Sequence, residues 1–347
     1  MKKYLVVCAA ALLMLPCFPL FSQEADDTGA GVGLTIVPRL ELTPVFSEGA
    51  GTLTLGNSSL YSLFEGDITD KLSFSVANHW LSSSPVELYY LEGEGANLFR
   101  SDWTNWLDWA YLTLQLGNFS ISAGKDMITT GGFEFDDYDY DVHPALQSGL
   151  WNNFSCYQWG GKLGYTSDSE NTYLGLQITS SPYSTRPFDD GSFNISLEWR
   201  GNYGNLSNIW SVTSMGAGGI IGNPYILLVA LGQRYQAGDF TFGLDWFSHS
   251  GDEDAILLGP LANTFLGTVN WEPSESLSVL VKGGLEKARE IVDDGATFSS
   301  RYGDNWFGGA AVHYFPVENL RLHAMGAYSG FWNTLTFSVG ATYYLNL

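Results

Sequence analysis

The sequence predicts an all-β chain, a transmembrane antiparallel up-and-down β-barrel of about sixteen strands. Three observations predict it. Segments of about ten residues alternate between apolar and polar side chains, the pattern of a strand with one oily and one wet face. Tight turns and longer connections follow one another by turns, as an up-and-down barrel requires. Charged residues make up only 15% of the 347 residues, aromatic residues another 15%, and glycine numbers 40. A soluble domain usually carries about a quarter charged residues, so this surface offers water little.

The chain begins with Lys2 and Lys3, an apolar run from Tyr4 to Leu15, and the helix-breaking Pro16-Cys17-Phe18-Pro19. This is the pattern of a secretory signal peptide, Met1–Ser22, with cleavage before Gln23. Pro16 stands where a lipobox needs a small residue before Cys17, which argues against a lipoprotein. Gln23–Gly33 reads as a flexible leader and Leu34–Leu347 as one barrel domain. Loss of Cys8 and Cys17 with the signal leaves Cys156 alone, so no internal disulfide is expected. The apolar stretches after the signal are too short for a membrane helix.

The strands fall at Leu34–Phe46, Leu53–Gly66, Leu72–Leu81, Trp106–Leu116, Phe119–Met127, Phe154–Tyr165, Thr172–Ser181 and Phe193–Gly201, then Ser207–Met215, Tyr225–Tyr235, Phe240–His249, Thr264–Glu272, Leu277–Lys287, Asn305–Phe315, Leu320–Ser329 and Thr334–Leu347. Tight turns at Asp67–Lys71, Gly117-Asn118, Ser167–Asn171, Asn202–Leu206, Gln236–Asp239, Pro273–Ser276 and Pro316–Asn319 belong on the periplasmic side, with the longer loops outside. In Phe193–Gly201, Phe193, Ile195, Leu197 and Trp199 oppose Asn194, Ser196, Glu198 and Arg200. In Phe240–His249, Phe240, Phe242, Leu244 and Trp246 oppose a largely polar face that holds Asp245. The same alternation directs Arg39, Glu41, Lys162, Lys282, Glu286 and Arg321 to the lumen, because a Lys or Arg facing lipid at mid-membrane costs about 2–4 kcal/mol. Two strands fit poorly. Tyr225–Tyr235 is apolar on both faces, and Lys125 falls on the apolar side of Phe119–Met127.

The last strand places Leu335, Phe337, Val339, Ala341, Tyr343, Leu345 and Leu347 on one face. Ser338, Gly340, Tyr343 and Leu345 resemble the polar-x-Gly-x-x-aromatic-x-apolar signal that closes bacterial outer-membrane barrels. Leu347 stands in place of the usual terminal Phe. The segments Asn105-Trp106-Leu107-Asp108-Trp109-Ala110-Tyr111, Ala123 to Pro144 and Tyr157-Gln158-Trp159-Gly160-Gly161-Lys162 resemble porins of Bacteroidetes-type bacteria related to the phosphate-selective porin O and P family. That resemblance implies a sixteen-stranded diffusion channel, often a homotrimer, in contact with outer-membrane lipid. The phosphate-selective members guide anions along arrays of Arg and Lys. Here, removing Lys2 and Lys3 from the 15 basic residues leaves 13 against 37 acidic ones. This acidic balance also excludes nucleic acid as an expected partner.

Ile128–Asn153 is the third long connection, the one that in porins commonly folds into the lumen. It carries Glu134, Asp136, Asp137, Asp139, Asp141 and His143 among Phe133, Phe135, Tyr138 and Tyr140, after a flexible Gly131-Gly132 entry. Three readings stand: a pore constriction that favours cations, a solvated acidic outer loop, or a calcium site without EF-hand spacing. Trp103, Trp106 and Trp109 read as girdle residues at the bilayer interface, or else as a sugar platform.

No catalytic site is expected. His79, His143, His249, His313 and His323 show no metal spacing, and His249-Ser250 point to opposite faces of a strand. No cofactor or metal is expected either. The function read from these features is passive diffusion of small hydrophilic solutes or ions through an outer-membrane porin. The alternative from another class is a secreted or surface β-rich module that binds a ligand such as a glycan.

Overall fold

The computed structural model describes residues 31–47, 50–82, 107–138, 140–154, 156–182, 188, 191–216, 225–250, 263–293 and 298–347. The signal peptide and all but the end of the leader lie outside them, as do Trp103, Trp106 and Asp139. Eighteen strand segments form one closed antiparallel sheet, and two pairs of them are single staves broken by an irregularity, so the barrel has sixteen staves. They are β1 Val32–Ser47, β2 Ala50–Thr54 with Ser59–Thr69, β3 Leu72–Ser82, β4 Leu107–Leu116, β5 Phe119–Met127, β6 Tyr157–Thr166, β7 Thr172–Ser180 and β8 Phe193–Tyr203. The second half is β9 Leu206–Gly216, β10 Tyr225–Ala237, β11 Phe240–Ser250, β12 Asn263–Ser274, β13 Leu277–Asp293, β14 Phe298–Val317, β15 Leu320–Ser329 and β16 Thr334–Tyr343 with Leu345–Asn346.

Each stave pairs with its chain neighbours, and β16 returns to β1 through Arg39 opposite Thr342 and Thr35 opposite Asn346. The seam is finished by Leu347 N–H donating to the Leu34 carbonyl at 2.8 Å and Leu34 N–H to the Leu347 carbonyl at 3.2 Å. No free sheet edge remains at this junction, as a barrel in lipid demands. Gly117-Asn118, Gly204-Asn205 and Gly238-Asp239 close two-residue hairpins. In each, glycine takes the positive φ (59°, 64° and 60°), the backbone state that turns of the II′ class need at their first central position.

The faces separate as the alternation requires. Phe193, Ile195, Leu197, Phe240, Phe242, Leu244, Phe337 and Val339 are exposed on the outside, while Asn194, Ser196, Glu198, Asp245 and Ser338 are buried. Leu244 is 68% exposed and its neighbour Asp245 only 7%. A contiguous apolar exterior of this kind belongs in lipid rather than in water.

Three details depart from the alternation. The expected strand Leu53–Gly66 is interrupted at Leu55–Ser58, because Thr43 pairs with Thr54 whereas Arg39 pairs with Ser59. Four residues there oppose three, a bulge that turns Asn57 and Ser58 toward Glu41. The β13–β14 hairpin is longer than expected, with β13 running on to Asp293 and β14 starting at Phe298. Lys125, buried although it shares a face with Phe119 and Ile121, pairs with Ala110 two residues before β5 ends and donates to the Leu107 carbonyl at 2.7 Å.

The apolar core lies inside the barrel, between its wall and residues 128–156. Ile226, Leu228 and Ala230 of β10, with Met215, Phe247, Leu266 and Phe307, pack around Ile128, Phe135, Leu150 and Phe154. This explains the strand that is apolar on both faces: one face meets lipid and the other meets the inserted segment.

Candidate functional site

The segment from Ile128 to Cys156 crosses the barrel interior and bonds to staves all around it. Its base closes with Ile128 N–H on the Cys156 carbonyl at 2.6 Å. Gln177 of β7 clamps the entry, accepting from Thr129 N–H and donating to the Met127 carbonyl, both at 2.8 Å. Ser211 and Thr213 of β9 donate to the carbonyls of Thr130 and Thr129 at 2.7 Å. Gly131 and Gly132 have φ of 67° and 72°, and an added Cβ would fall 2.5 Å from Ser211 Oγ and 2.6 Å from the Phe247 ring. The expected flexible entry is therefore a fixed close approach to the wall, which only glycine fits.

Beyond the entry the wall charges become anchors. Asp245 of β11 accepts from Phe133 N–H at 2.9 Å and Glu134 N–H at 3.1 Å. Glu134, 3% exposed, receives Lys282 Nζ of β13 at 2.8 Å, Ser148 N–H at 2.8 Å and Ser148 Oγ at 2.5 Å. Lys282 also donates to Gln147 Oε1. Glu286 of β13 accepts from Gly149 N–H at 3.0 Å, at the start of the short helix Gly149–Asn153 that Ser148 caps.

At the far end, Arg39 of β1 donates to the carbonyls of Tyr140 at 3.1 Å and Val142 at 2.8 Å, and pairs with Glu41 at 2.5 Å. Arg321 of β15 donates to the same Tyr140 carbonyl at 2.6 Å and to Asp141 at 2.8 Å. Tyr344 donates to Asp141 at 2.7 Å. His143, 2% exposed, lies with Nε2 2.8 Å from His313 Nε2, and its ring meets His323 edge-on. Burial, then Arg39 nearby, holds the His143 imidazole well below its ordinary range.

The six expected constriction residues thus divide. Glu134 and His143 are buried ties; Asp136, Asp137 and Asp141 retain exposed surface; Asp139 lies outside the described residues. Among the expected lumen charges, Arg39, Glu41, Asp245, Lys282, Glu286 and Arg321 face the inserted segment or its ties. Lys162, Glu198 and Arg200 form a separate chain, with Lys162 3.1 Å and Arg200 2.7 Å from Glu198, and Arg200 2.7 Å from Asp136.

That last pair stands between two cavities. One, of about 240 Å³, is lined by Trp109, Tyr111, Tyr138 and Tyr157 together with Asp126, Lys162 and Glu198. The other, of about 220 Å³, is lined by Asn202, Asn208, Arg234 and Gln236. Asp136 and Arg200 border both. Trp109 is thereby placed inside rather than in an interfacial girdle: its indole donates to Ser75 Oγ at 2.7 Å and stacks on Tyr138 with 5.5 Å between ring centres. Gln177, Ser211, Thr213 and Ser148 were not singled out by the sequence, since short polar residues on a lumen face carry no signal beyond alternation.

No known family model matches the sequence, and no curated protein matches it. Solved structures do. OmpT expressed in the outer membrane of Vibrio cholerae superposes with a TM-score of 0.60 at 13% identity, over 93% of this chain and 100% of that one. The outer-membrane channel DcaP of Acinetobacter baumannii gives 0.60 at 12% identity, over 92% and 99%. A mutant Rh. blastica porin gives 0.58 at 16% identity, over 91% and 100%. The fold is that of outer-membrane porins. At such identities the likeness extends to architecture, and the chemistry must come from this chain's own residues.

Proposed function

We propose that the protein is a passive channel of the bacterial outer membrane, through which small hydrophilic solutes or ions cross down their gradients, with the inserted segment 128–156 as its constriction. The observation that carries this reading is the pair of polar cavities inside a lipid-facing barrel, separated by the Asp136–Arg200 ion pair. Both side chains are about one-third exposed, so the pair can exchange partners with a passing solute. No catalytic step or cofactor is part of the mechanism. Size is set by the segment's tied backbone, and charge preference by the groups that line the cavities.

Among the described residues, those groups are the carboxylates Asp126, Asp136, Asp137 and Glu198 and the cations Lys162, Arg200 and Arg234. Four against three makes the preference mildly cationic. A relation to the phosphate-selective porin O and P set of Bacteroidetes-type bacteria, supported by the motifs between Asn105 and Lys162, is thus proposed for architecture and not for phosphate guidance. Export through a cleaved Met1–Ser22 signal and assembly as a homotrimer complete the proposal; one V. cholerae OmpT structure is of a trimer form.

The test is reconstitution of the purified protein in planar bilayers under a salt gradient. Discrete conductance steps with a small reversal potential of cation-preferring sign are expected. Absence of conductance, or strong anion preference, would overturn the proposal.

A further inference from the structure

Four side chains meet where the inserted segment touches the wall: Glu41 from β1, His143 from the segment, and His313 of β14 with His323 of β15, which stand opposite each other across one hairpin. One donor atom each of Glu41, His143 and His323 lies within 4.8 Å of the others, and all three residues are buried. His313 Nε2 is 2.8 Å from His143 Nε2, and His323 Nε2 is 3.0 Å from the Glu41 carboxylate. We propose that Glu41, His143 and His323 form a binding site for one divalent transition-metal ion of the zinc class, which ties the segment to β1 and β15, with His313 of β14 hydrogen-bonded to His143 behind it.

Three physical arguments support it. The first is donor type: two imidazoles and one carboxylate, with a fourth position left for water, are a ligand set for zinc and its neighbours, and not for calcium or magnesium, which take oxygen. The second is unused bonding capacity. Among the described residues, Nδ1 of His143 is buried with no hydrogen-bond partner, and buried polar atoms without partners are uncommon. The third is the outer bond: with His143 ligating through Nδ1, its Nε2–H donates to Nε2 of His313, the kind of hydrogen bond that fixes the tautomer of a metal-bound imidazole.

Tetrahedral coordination at zinc–nitrogen distances places donor atoms about 3.4 Å apart, so the His323–Glu41 contact at 3.0 Å opens slightly and the wider gaps, up to 4.8 Å, close. Arg39 is the competitor. It already holds Glu41 at 2.5 Å, and Arg321 bonds the neighbouring Asp141. Arg39 keeps its bonds to the carbonyls of Tyr140 and Val142 if the ion takes the carboxylate. Two nearby guanidiniums lower the affinity below that of a closed structural zinc site. They also favour imidazole-rich coordination, in which neutral donors predominate.

The experiment uses the folded, detergent-solubilised protein freed of metal, titrated with Zn²⁺ against a chromophoric chelator. One ion per chain is expected, with H143Q and H323Q each weakening binding more than about a hundredfold. H79Q, which removes a histidine paired with Asp108 outside the cluster, should leave binding unchanged. Binding that survives H143Q, or that falls equally with H79Q, would overturn the site. Co²⁺ added to the wild-type protein gives an answer that needs no variant. Intense visible bands of four-coordinate cobalt support the site, and the weak absorption of a hydrated ion refutes it. Neither readout depends on whether the barrel conducts.

Discussion

Substitution of Glu134 by alanine should release the inserted segment while leaving the barrel closed. The carboxylate is buried and receives Lys282 Nζ, Ser148 N–H and Ser148 Oγ, and no stave-to-stave ladder bond involves it. Removing one partner of a buried ion pair costs about 3–5 kcal/mol, because the other charge stays desolvated. Since 1.4 kcal/mol is a factor of ten, the ratio of docked to undocked segment should fall by about two to nearly four powers of ten. Amide hydrogen exchange reads this directly: Ser148, Gly149 and Trp151 should exchange faster by that factor, with amides of β9–β12 unchanged. Single-channel conductance should rise or become noisy. K282M should act in the same direction, and the double variant E134A/K282M should cost less than the two single costs together, because neither charge is then stranded. Unchanged exchange in E134A, or strict additivity, would refute Glu134 as the hub of the docked segment.

Neutralising Asp136, Asp137 and Asp141 to asparagine, with Asp139, should move the planar-bilayer reversal potential toward anions, and R200A should move it toward cations; no shift in either would separate these residues from permeation. Phe135, packed edge-on against Phe154 and Phe247, should cost about 3–5 kcal/mol of docking stability as F135A, seen as faster exchange in residues 128–154. L244R places a cation on the lipid face and should lower barrel stability by about 2–4 kcal/mol in reversible unfolding from lipid, whereas D245N should leave the outer face unperturbed.

The staves were legible because a period of two is a local property: Phe193–Gly201 declares both its faces within nine residues. The connection between β5 and β6 was legible as a long one, but its spacing left an inward fold and a solvated outer loop equally open. Its fastenings were not legible. Arg39 meets Tyr140 across 101 residues and Arg321 meets Asp141 across 180, and no local spacing encodes such pairs. Ile226 and Leu228 looked like a flaw in a lumen face until Phe135 and Leu150 supplied their partners. Trp109 resembled a girdle residue because an aromatic near a strand end has the same sequence appearance on either face. The bulge at Leu55–Ser58 was invisible for a similar reason: one extra residue shifts the pairing of β2 without disturbing its composition. The histidine cluster draws single residues from four elements, so a search for ligand spacing along the chain passes over it.

The seam between β1 and β16 has a kinetic consequence. Its contacts join residues about three hundred positions apart, among the most non-local in the chain, so ring closure belongs late in assembly. The Tyr140 carbonyl holds Arg39 of β1 and Arg321 of β15, staves that flank β16 on either side. The inserted segment therefore reaches its full set of bonds only when the first and last parts of the chain have come together. An assembly intermediate with an unjoined seam would carry an unfastened plug, and slow closure would appear in refolding experiments as a delay in segment protection rather than in strand formation.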